Sequence, residues 1–212
     1  MVYFQYGVVE PDGRVAVSIM APAGVIGLFQ GEGMAVIFKA CGPEEASTVA
    51  EVGRETYRQT FEDLYDADVM TQYLERAFDI SAVTRELGNP QSRFWLLEVE
   101  GHVAGYLKMN WGLAQTELQE DGGIEIERIY LLRAFQGRGY GRALFDQAMD
   151  FAWASRSRFI WLGVWENNDR AIAFYTSRGF EITGTHEFRM GEVVDTDSVS
   201  YTHLTLPTIC SV

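Results

Sequence analysis

Apolar and polar positions change their period several times along the chain, and each change marks an element. Val36-Ile37-Phe38-Lys39-Ala40 predicts a short strand, stopped by Gly42-Pro43. Pro43-Glu44-Glu45 then opens a helix, because proline suits the first turn and carboxylates suit the positive end of the helix dipole. Val49, Val52, Thr56, Phe61 and Leu64 give that helix one apolar face, and Val69, Tyr73, Leu74 and Phe78 mark a second. A third, short helix spans residues 80–87 and closes at Gly88-Asn89-Pro90. Residues 94–99 read as a strand, Glu100-Gly101 as a turn, and residues 102–109 as the returning strand of a hairpin. Residues 113–122 are polar and read as flexible, followed by a strand at 124–132. A glycine-rich turn leads into a helix ending near 155, then a strand at 159–164 and a helix at 168–178. Residues 180–183 and 187–190 read as late strands. There is no repeat and no linker, so one mixed α/β domain is expected.

Within the strand at 124–132 the pattern shifts. Ile124 and Ile126 are apolar with Glu125 and Glu127 between them, whereas from Ile129 to Leu131 the odd positions are apolar. A change of parity predicts a β-bulge near Arg128, which frees backbone N–H groups from the ladder. The turn that follows, Gln136-Gly137-Arg138-Gly139-Tyr140-Gly141, places three glycines at alternate positions before a helix. Such a turn lets backbone amides face one point, and the helix adds its positive end, so a pyrophosphate fits there. Its spacing is neither the dinucleotide fingerprint nor a P-loop.

Glu127-Arg128-Ile129-Tyr130-Leu131 followed by that turn resembles the acetyl-CoA motif of the GNAT superfamily, Q/R-x-x-G-x-G/A. The second half is similar too, through Asn168-Asp169-Arg170-Ala171-Ile172-Ala173-Phe174-Tyr175 and then Arg178-Gly179-Phe180. Trp161-Leu162-Gly163-Val164-Trp165-Glu166 resembles the PaiA-like bacterial spermine/spermidine acetyltransferases. So do Glu55-Thr56-Tyr57 with Thr60-Phe61, Tyr73-Leu74-Glu75 with Ala77-Phe78, and Ala114-Gln115-Thr116-Glu117. The resemblance covers roughly residues 36–197. It implies the GNAT fold: an α/β (α+β) domain whose central, mixed, mostly antiparallel sheet is twisted, splayed between its middle strands and flanked by helices.

The resemblance also assigns roles. Acetyl-CoA is the implied co-substrate, its pantetheine arm along Ile129, Tyr130 and Leu131 and its pyrophosphate on Gln136, Gly137, Arg138, Gly139, Tyr140 and Gly141. Asn168 either caps its helix or reaches the cofactor arm, or does both. The Leu131 N–H is the implied oxyanion donor, and Tyr175 the implied general acid for the leaving thiolate. An alkyl amine resembles lysine, with a pKa near ~10.4, so a base is useful for attack. Glu127 is the candidate beside the cofactor strand. Glu125 shares its face, is the alternative base and is a further candidate for the substrate site. Glu62 and Asp63, with Asp66 and Asp68, lie in the first helix-to-helix connection, which borders the acceptor groove in such folds. They suit a polyamine, although a solvated acidic face has the same composition.

Bulk properties narrow the partners. The 212 residues carry a formal net charge of -13, which disfavours nucleic acid and is compatible with a cationic small molecule. No apolar run reaches the ~20 residues of a membrane helix, and Cys41 and Cys210 make no disulfide framework. His102, His186 and His203 lack metal-ligand spacing, so no metal is expected. A cytoplasmic monomer or homodimer is the expectation.

Both ends read as foreign to the domain. Val199-Ser200-Tyr201-Thr202-His203-Leu204-Thr205-Leu206-Pro207-Thr208 matches, in one frame, a translated transposase sequencing adapter, so 199–212 is expected to be a read-through tail. The alternation of this segment leaves a genuine terminal strand as the other reading. Residues 1–33, with Pro11, Pro22 and several glycines, read as a loop-like leader preceding a natural start at Met34, with a true N-terminal extension as the alternative. The acetyltransferase domain is then 34–198. Only Glu10, Asp12 and Glu32 of the acidic residues lie outside it, so the acidity belongs to the domain. Acceptors other than a polyamine stay open: a protein N-terminus, a lysine or an antibiotic amine. A non-catalytic acyl-CoA sensor is the reading from another class.

Overall fold

The computed structural model describes the backbone of residues 5–9, 15–21, 24–31, 34–117, 121–190 and 193–203. Their strands are β1 (Gln5–Val9), β2 (Val15–Ala21), β3 (Gly24–Gly31), β4 (Met34–Cys41), β5 (Ser92–Val99), β6 (His102–Trp111), β7 (Gly123–Leu131), β8 (Phe159–Trp165), β9 (Glu181–Met190) and β10 (Val193–His203). The helices are α1 (Ala46–Phe61), α2 (Ala67–Ala77), α3 (Ile80–Leu87), α4 (Tyr140–Ala154) and α5 (Asp169–Thr176). Two compact units divide the chain, Met1–Lys108 with Arg128–Phe145 and Met109–Glu127 with Asp146–Val212. The division runs through β6, β7 and α4, not through a linker.

In the first unit the strand order is β1-β2-β3-β4-β5-β6-β7. The β4–β5 ladder is antiparallel from Val36↔Val99 to Cys41↔Phe94. Val36, Phe38, Phe94, Leu97 and Val99 are all buried there, so the apolar runs of both strands are explained by burial. Glu100 and Gly101 have φ of 50 and 77, the paired positive values that a two-residue hairpin turn needs. Helix starts follow their capping residues: Asp66 accepts from Asp68 N at 2.9 Å and Asp79 from Ala82 N at 3.0 Å. Helix α1 stops at Phe61, and the Leu64 N–H closes a turn on Phe61 O at 3.0 Å. Leu64, expected on the apolar face of that helix, is therefore 51% exposed beyond its end.

The leader departs from its loop-like reading. Strands β1, β2 and β3 pair antiparallel, and β3 pairs with β4 through Phe29↔Val36, Gln30↔Ala35 and Gly31↔Met34. Valine and isoleucine favour a pleated strand, and Pro11 and Pro22 fall between the strand limits and outside the described residues. Met34, the expected start, is the first residue of β4.

In the second unit the order is β6-β7-β8-β10-β9. Strands β7 and β8 run parallel over Gly123↔Phe159, Ile124↔Ile160 and Glu125↔Trp161. On its other edge β8 pairs antiparallel with β10 along its whole length, from Asp197↔Trp165 to His203↔Phe159. Within this unit the β7–β8 ladder thus ends at Glu125, while Ile126 and Glu127 and residues 162–165 continue beyond it. The sheet is mixed and flanked by helices, as expected. The two late strands are one, β9, and it pairs with β10. Val199–His203, expected in a foreign tail, lie in β10, because their alternation matches a pleated strand. Residues 204–212, including Cys210, lie outside the described residues.

Candidate active site

In the first unit, β7 runs into the glycine turn. The Leu132 N–H donates to Ala104 O at 2.9 Å. A Cβ at Gly105 would stand 2.2 Å from Tyr130 O, so only glycine permits this approach of β6 to β7. After a 3-10 turn at Arg133–Phe135, the Gln136 side chain folds back and donates from Nε2 to Leu131 O at 3.1 Å. Gln136 therefore ties the turn to the strand. Gly137 and Gly139 have φ of 78 and 85, the left-handed region, with no heavy atom within 4 Å of an added Cβ. The same open space surrounds Gly141. Tyr140 is buried, its ring 6.3 Å from Phe135, so it anchors the turn while Gly137, Arg138 and Gly139 stay exposed. Ala143 N donates to Gly139 O at 3.1 Å, which sets the first turn of α4. Its leading amides have no intrahelical acceptor and carry the positive end of the dipole. The residues present therefore fit an anionic pyrophosphate, recognised by backbone and not by side chains.

Arg128 lies just before residues 129–131, the segment of β7 expected to take the cofactor arm. Its Nη1 and Nη2 donate to Glu86 Oε2 and Oε1 of α3 at 3.0 and 3.3 Å. Lys108 Nζ of β6 donates to Glu86 Oε2 at 2.9 Å and lies 5.3 Å from the Phe94 ring. One carboxylate of α3 thus joins β6 to β7. Neither Glu86 nor Lys108 was picked out from the sequence. The available signal was a lysine inside a run from Ala104 to Asn110 in which every residue is buried.

In the second unit, Glu125 and Glu127 sit two residues apart on one face of β7. Glu125 is 2% exposed and accepts from Thr116 N at 2.9 Å, Thr116 Oγ1 at 2.5 Å and Asn110 Nδ2 at 3.1 Å. Burial pushes its carboxyl above the usual range, the Thr116 hydrogen bonds pull it down, and the neighbouring Glu127 pushes it up again. Glu127 is half-buried and accepts from the same Asn110 Nδ2 at 2.5 Å. Asn110 itself is fully buried. Sequence reasoning missed Asn110, and it counted Thr116 only as part of a family-like string. Gln115 and Thr116, within a stretch expected to be flexible, are pinned here. Trp161 Nε1 donates to Gln115 Oε1 at 2.7 Å, and Trp161 is the β8 partner of Glu125. Residues 115 and 116 thus hold both side chains of the last β7–β8 rung. Burial of Glu125 and Trp161 enforces the contacts, since a buried polar group left unsatisfied costs about 1–3 kcal/mol.

Asn168 caps α5, its Oδ1 accepting from Ala171 N at 3.1 Å. Tyr175 lies on α5 and packs against Phe174 and Phe180, with centroids 5.2 and 5.7 Å away. Loss of hydration pushes its phenol up to about 12, against the pull of Arg178. Cys41 is buried, and burial pushes its thiol up to about 12, so it offers no thiolate nucleophile at neutral pH. Glu62 and Asp63 are exposed between α1 and α2. Among the described residues no cluster of three or more histidine, cysteine or acidic side chains has metal-binding geometry, and no helix is long and apolar enough to cross a membrane.

The chain is similar to known proteins in this same region. The model of the acetyltransferase (GNAT) family matches residues 53–180. An uncharacterized N-acetyltransferase of the pepI 3′ region in Lactobacillus delbrueckii subsp. lactis is 40% identical over 146 residues, 69% of this chain and 84% of that protein. The N-alpha-acetyltransferase RimI of Mycobacterium tuberculosis is 33% identical over 104 residues, 49% of this chain and 61% of that protein. Among solved structures, the PaiA N-acetyltransferase of Thermoplasma acidophilum in complex with coenzyme A has a TM-score of 0.66 at 17% identity, covering 80% of this chain and 99% of that one. With the family model matched over residues 53–180 and a relative 40% identical over 69% of the chain, the chain belongs to the GNAT family of acetyltransferases.

Proposed function

We propose that this N-acetyltransferase moves an acetyl group from acetyl-CoA to the primary amine of a polyamine, spermidine or spermine, by direct attack with both substrates bound. The observation that carries the transfer reading is the open glycine turn that follows in sequence on β7, the strand that also carries the hydrogen-bonded carboxylate of Glu127. Acetyl-CoA supplies an activated thioester carbonyl. The amides of Gly137 to Gly141 and the start of α4 hold its pyrophosphate, and Ile129 to Leu131 take its pantetheine arm. Leu131 N–H is the donor for the developing oxyanion. Glu127 removes the proton that the ammonium must lose. Tyr175, protonated because its phenol stands near 12, donates a hydrogen bond to the departing sulfur. A thiol has a pKa near ~8.5, so full transfer from this phenol is uphill and the hydrogen bond is its contribution. The polyamine reading is supported by the net charge of -13 and by the exposed Glu62 and Asp63.

A second acceptor, a protein N-terminus, is favoured by the 33% identity to the mycobacterial N-alpha-acetyltransferase. Free-thiol release from acetyl-CoA, measured with spermidine, spermine and an alanyl peptide, decides between them. Release with the polyamines alone supports the first reading, and release with the peptide alone replaces it. Binding of CoA with no release on any amine points to a sensor.

A further inference from the structure

One side chain that no motif marks lies between the two carboxylates of β7. Asn110 is fully buried on β6, and its Nδ2 reaches Glu125 Oε2 at 3.1 Å and Glu127 Oε2 at 2.5 Å. Both contacts are carboxylate oxygens, which accept hydrogen bonds when ionised. The amide nitrogen, with two hydrogens, therefore has to face them, and the network fixes the orientation of the side chain. Glu125 is the better-held member, since Thr116 N and Oγ1 grip it as well. The ionisable group nearest Glu127 on its own strand face is Glu125. From β6 come Asn110, which is neutral, and, two residues earlier on that strand, Lys108; the segment Phe159–Trp165 of β8 carries no ionisable side chain.

Two carboxylates at such spacing resist simultaneous ionisation, and a buried donor shared between them relieves that resistance. Asn110 is fully buried and Glu125 is 2% exposed, so at that end of the bridge water does not replace the donor. We infer that Asn110 is a positioning residue for the general base, its buried amide spanning Glu125 and Glu127 so that Glu127 stays ionised and aimed along one direction. Glu125 is the fixed end of this bridge. The pinned Gln115–Thr116 segment holds that end at the rung where β7 and β8 stop pairing. The inference rests on the reading of Glu127 as the base.

The test is the pH dependence of kcat in the full chain, with saturating acetyl-CoA and whichever of spermidine or the alanyl peptide turns over. Using one amine throughout cancels the ionisation of the amine itself. Asn110→Asp keeps the shape and replaces the donor by a third carboxylate. It is expected to move the acidic limb upward by about 1 unit or more, a loss of about tenfold in kcat below the limb. Glu125→Gln removes the neighbouring charge and is expected to move the limb the other way. CoA binding by calorimetry, unchanged within about twofold, separates this from a folding defect. If Asn110→Asp does not fold, Asn110→Leu, which removes the donor at similar size, takes its place with the same upward limb expected. Limbs superimposable on wild type in the folded variants, while Glu127→Gln has lost both activity and limb, overturn the role of Asn110 and leave the base in place. Wild-type turnover and limb in Glu127→Gln overturn the base itself and this inference with it.

Discussion

The glycine turn after β7 and the carboxylate pair within β7 are close in sequence but are made from different materials. The turn is exposed, has left-handed backbone at Gly137 and Gly139, and offers amides with open space around them. The carboxylate pair is a side-chain network, anchored on a fully buried asparagine and a glutamate that is 2% exposed. A backbone site tolerates many neighbours, because only the absence of Cβ atoms and the chain path matter. A buried polar network tolerates few, because each partner satisfies another at a place water does not reach. On the proposed function, recognition of acetyl-CoA rests on the robust region and proton removal on the fragile one.

Substitutions sharpen that contrast. The largest effect is expected for Glu127→Gln, a fall in kcat of about 10²–10⁴-fold with KM for acetyl-CoA nearly unchanged, read by steady-state kinetics. Next comes Gly139→Val. A side chain in the left-handed region costs about 1–2 kcal/mol, so KM for acetyl-CoA should rise about tenfold with a smaller change in kcat. Equal losses in kcat and KM effects from both variants would erase the distinction between the regions. Tyr175→Phe should lower kcat by about tenfold or less, the value of one hydrogen bond. Because the phenol is raised to about 12, it stays protonated as pH rises from 6 to 10 and contributes no falling limb there. The variant should therefore change the height of the pH profile and not its shape. The smallest effect belongs to Glu62→Gln with Asp63→Asn. These exposed charges should raise KM for spermidine roughly twofold at low salt and not at all near ~0.5 M salt.

Much of this was legible in the residues themselves. Proline, glycine and acidic residues at the ends of apolar runs located the helices, since caps and breakers act within a few residues. The turn was legible because left-handed backbone demands glycine, a local requirement. Local logic failed where distance along the chain was involved. The apolar face drawn to Leu64 overran the helix, whose end is set by a turn on Phe61 O. The leader was read as a loop from its breakers, while its β-branched residues found partners in β1 to β4.

What the sequence determined by itself is the glycine turn, the order of elements from β4 to α5 and the candidacy of Glu127 and Tyr175, because each rests on backbone preference or on a short string. What only the tertiary structure decided is which polar groups meet. Asn110, Thr116 and Glu125 are up to 15 residues apart, and Glu86 and Arg128 are 42 apart. No periodicity relates them. The first set meets because folding removes water from Asn110 and Glu125, and a desolvated donor or acceptor must find a partner wherever the chain brings one.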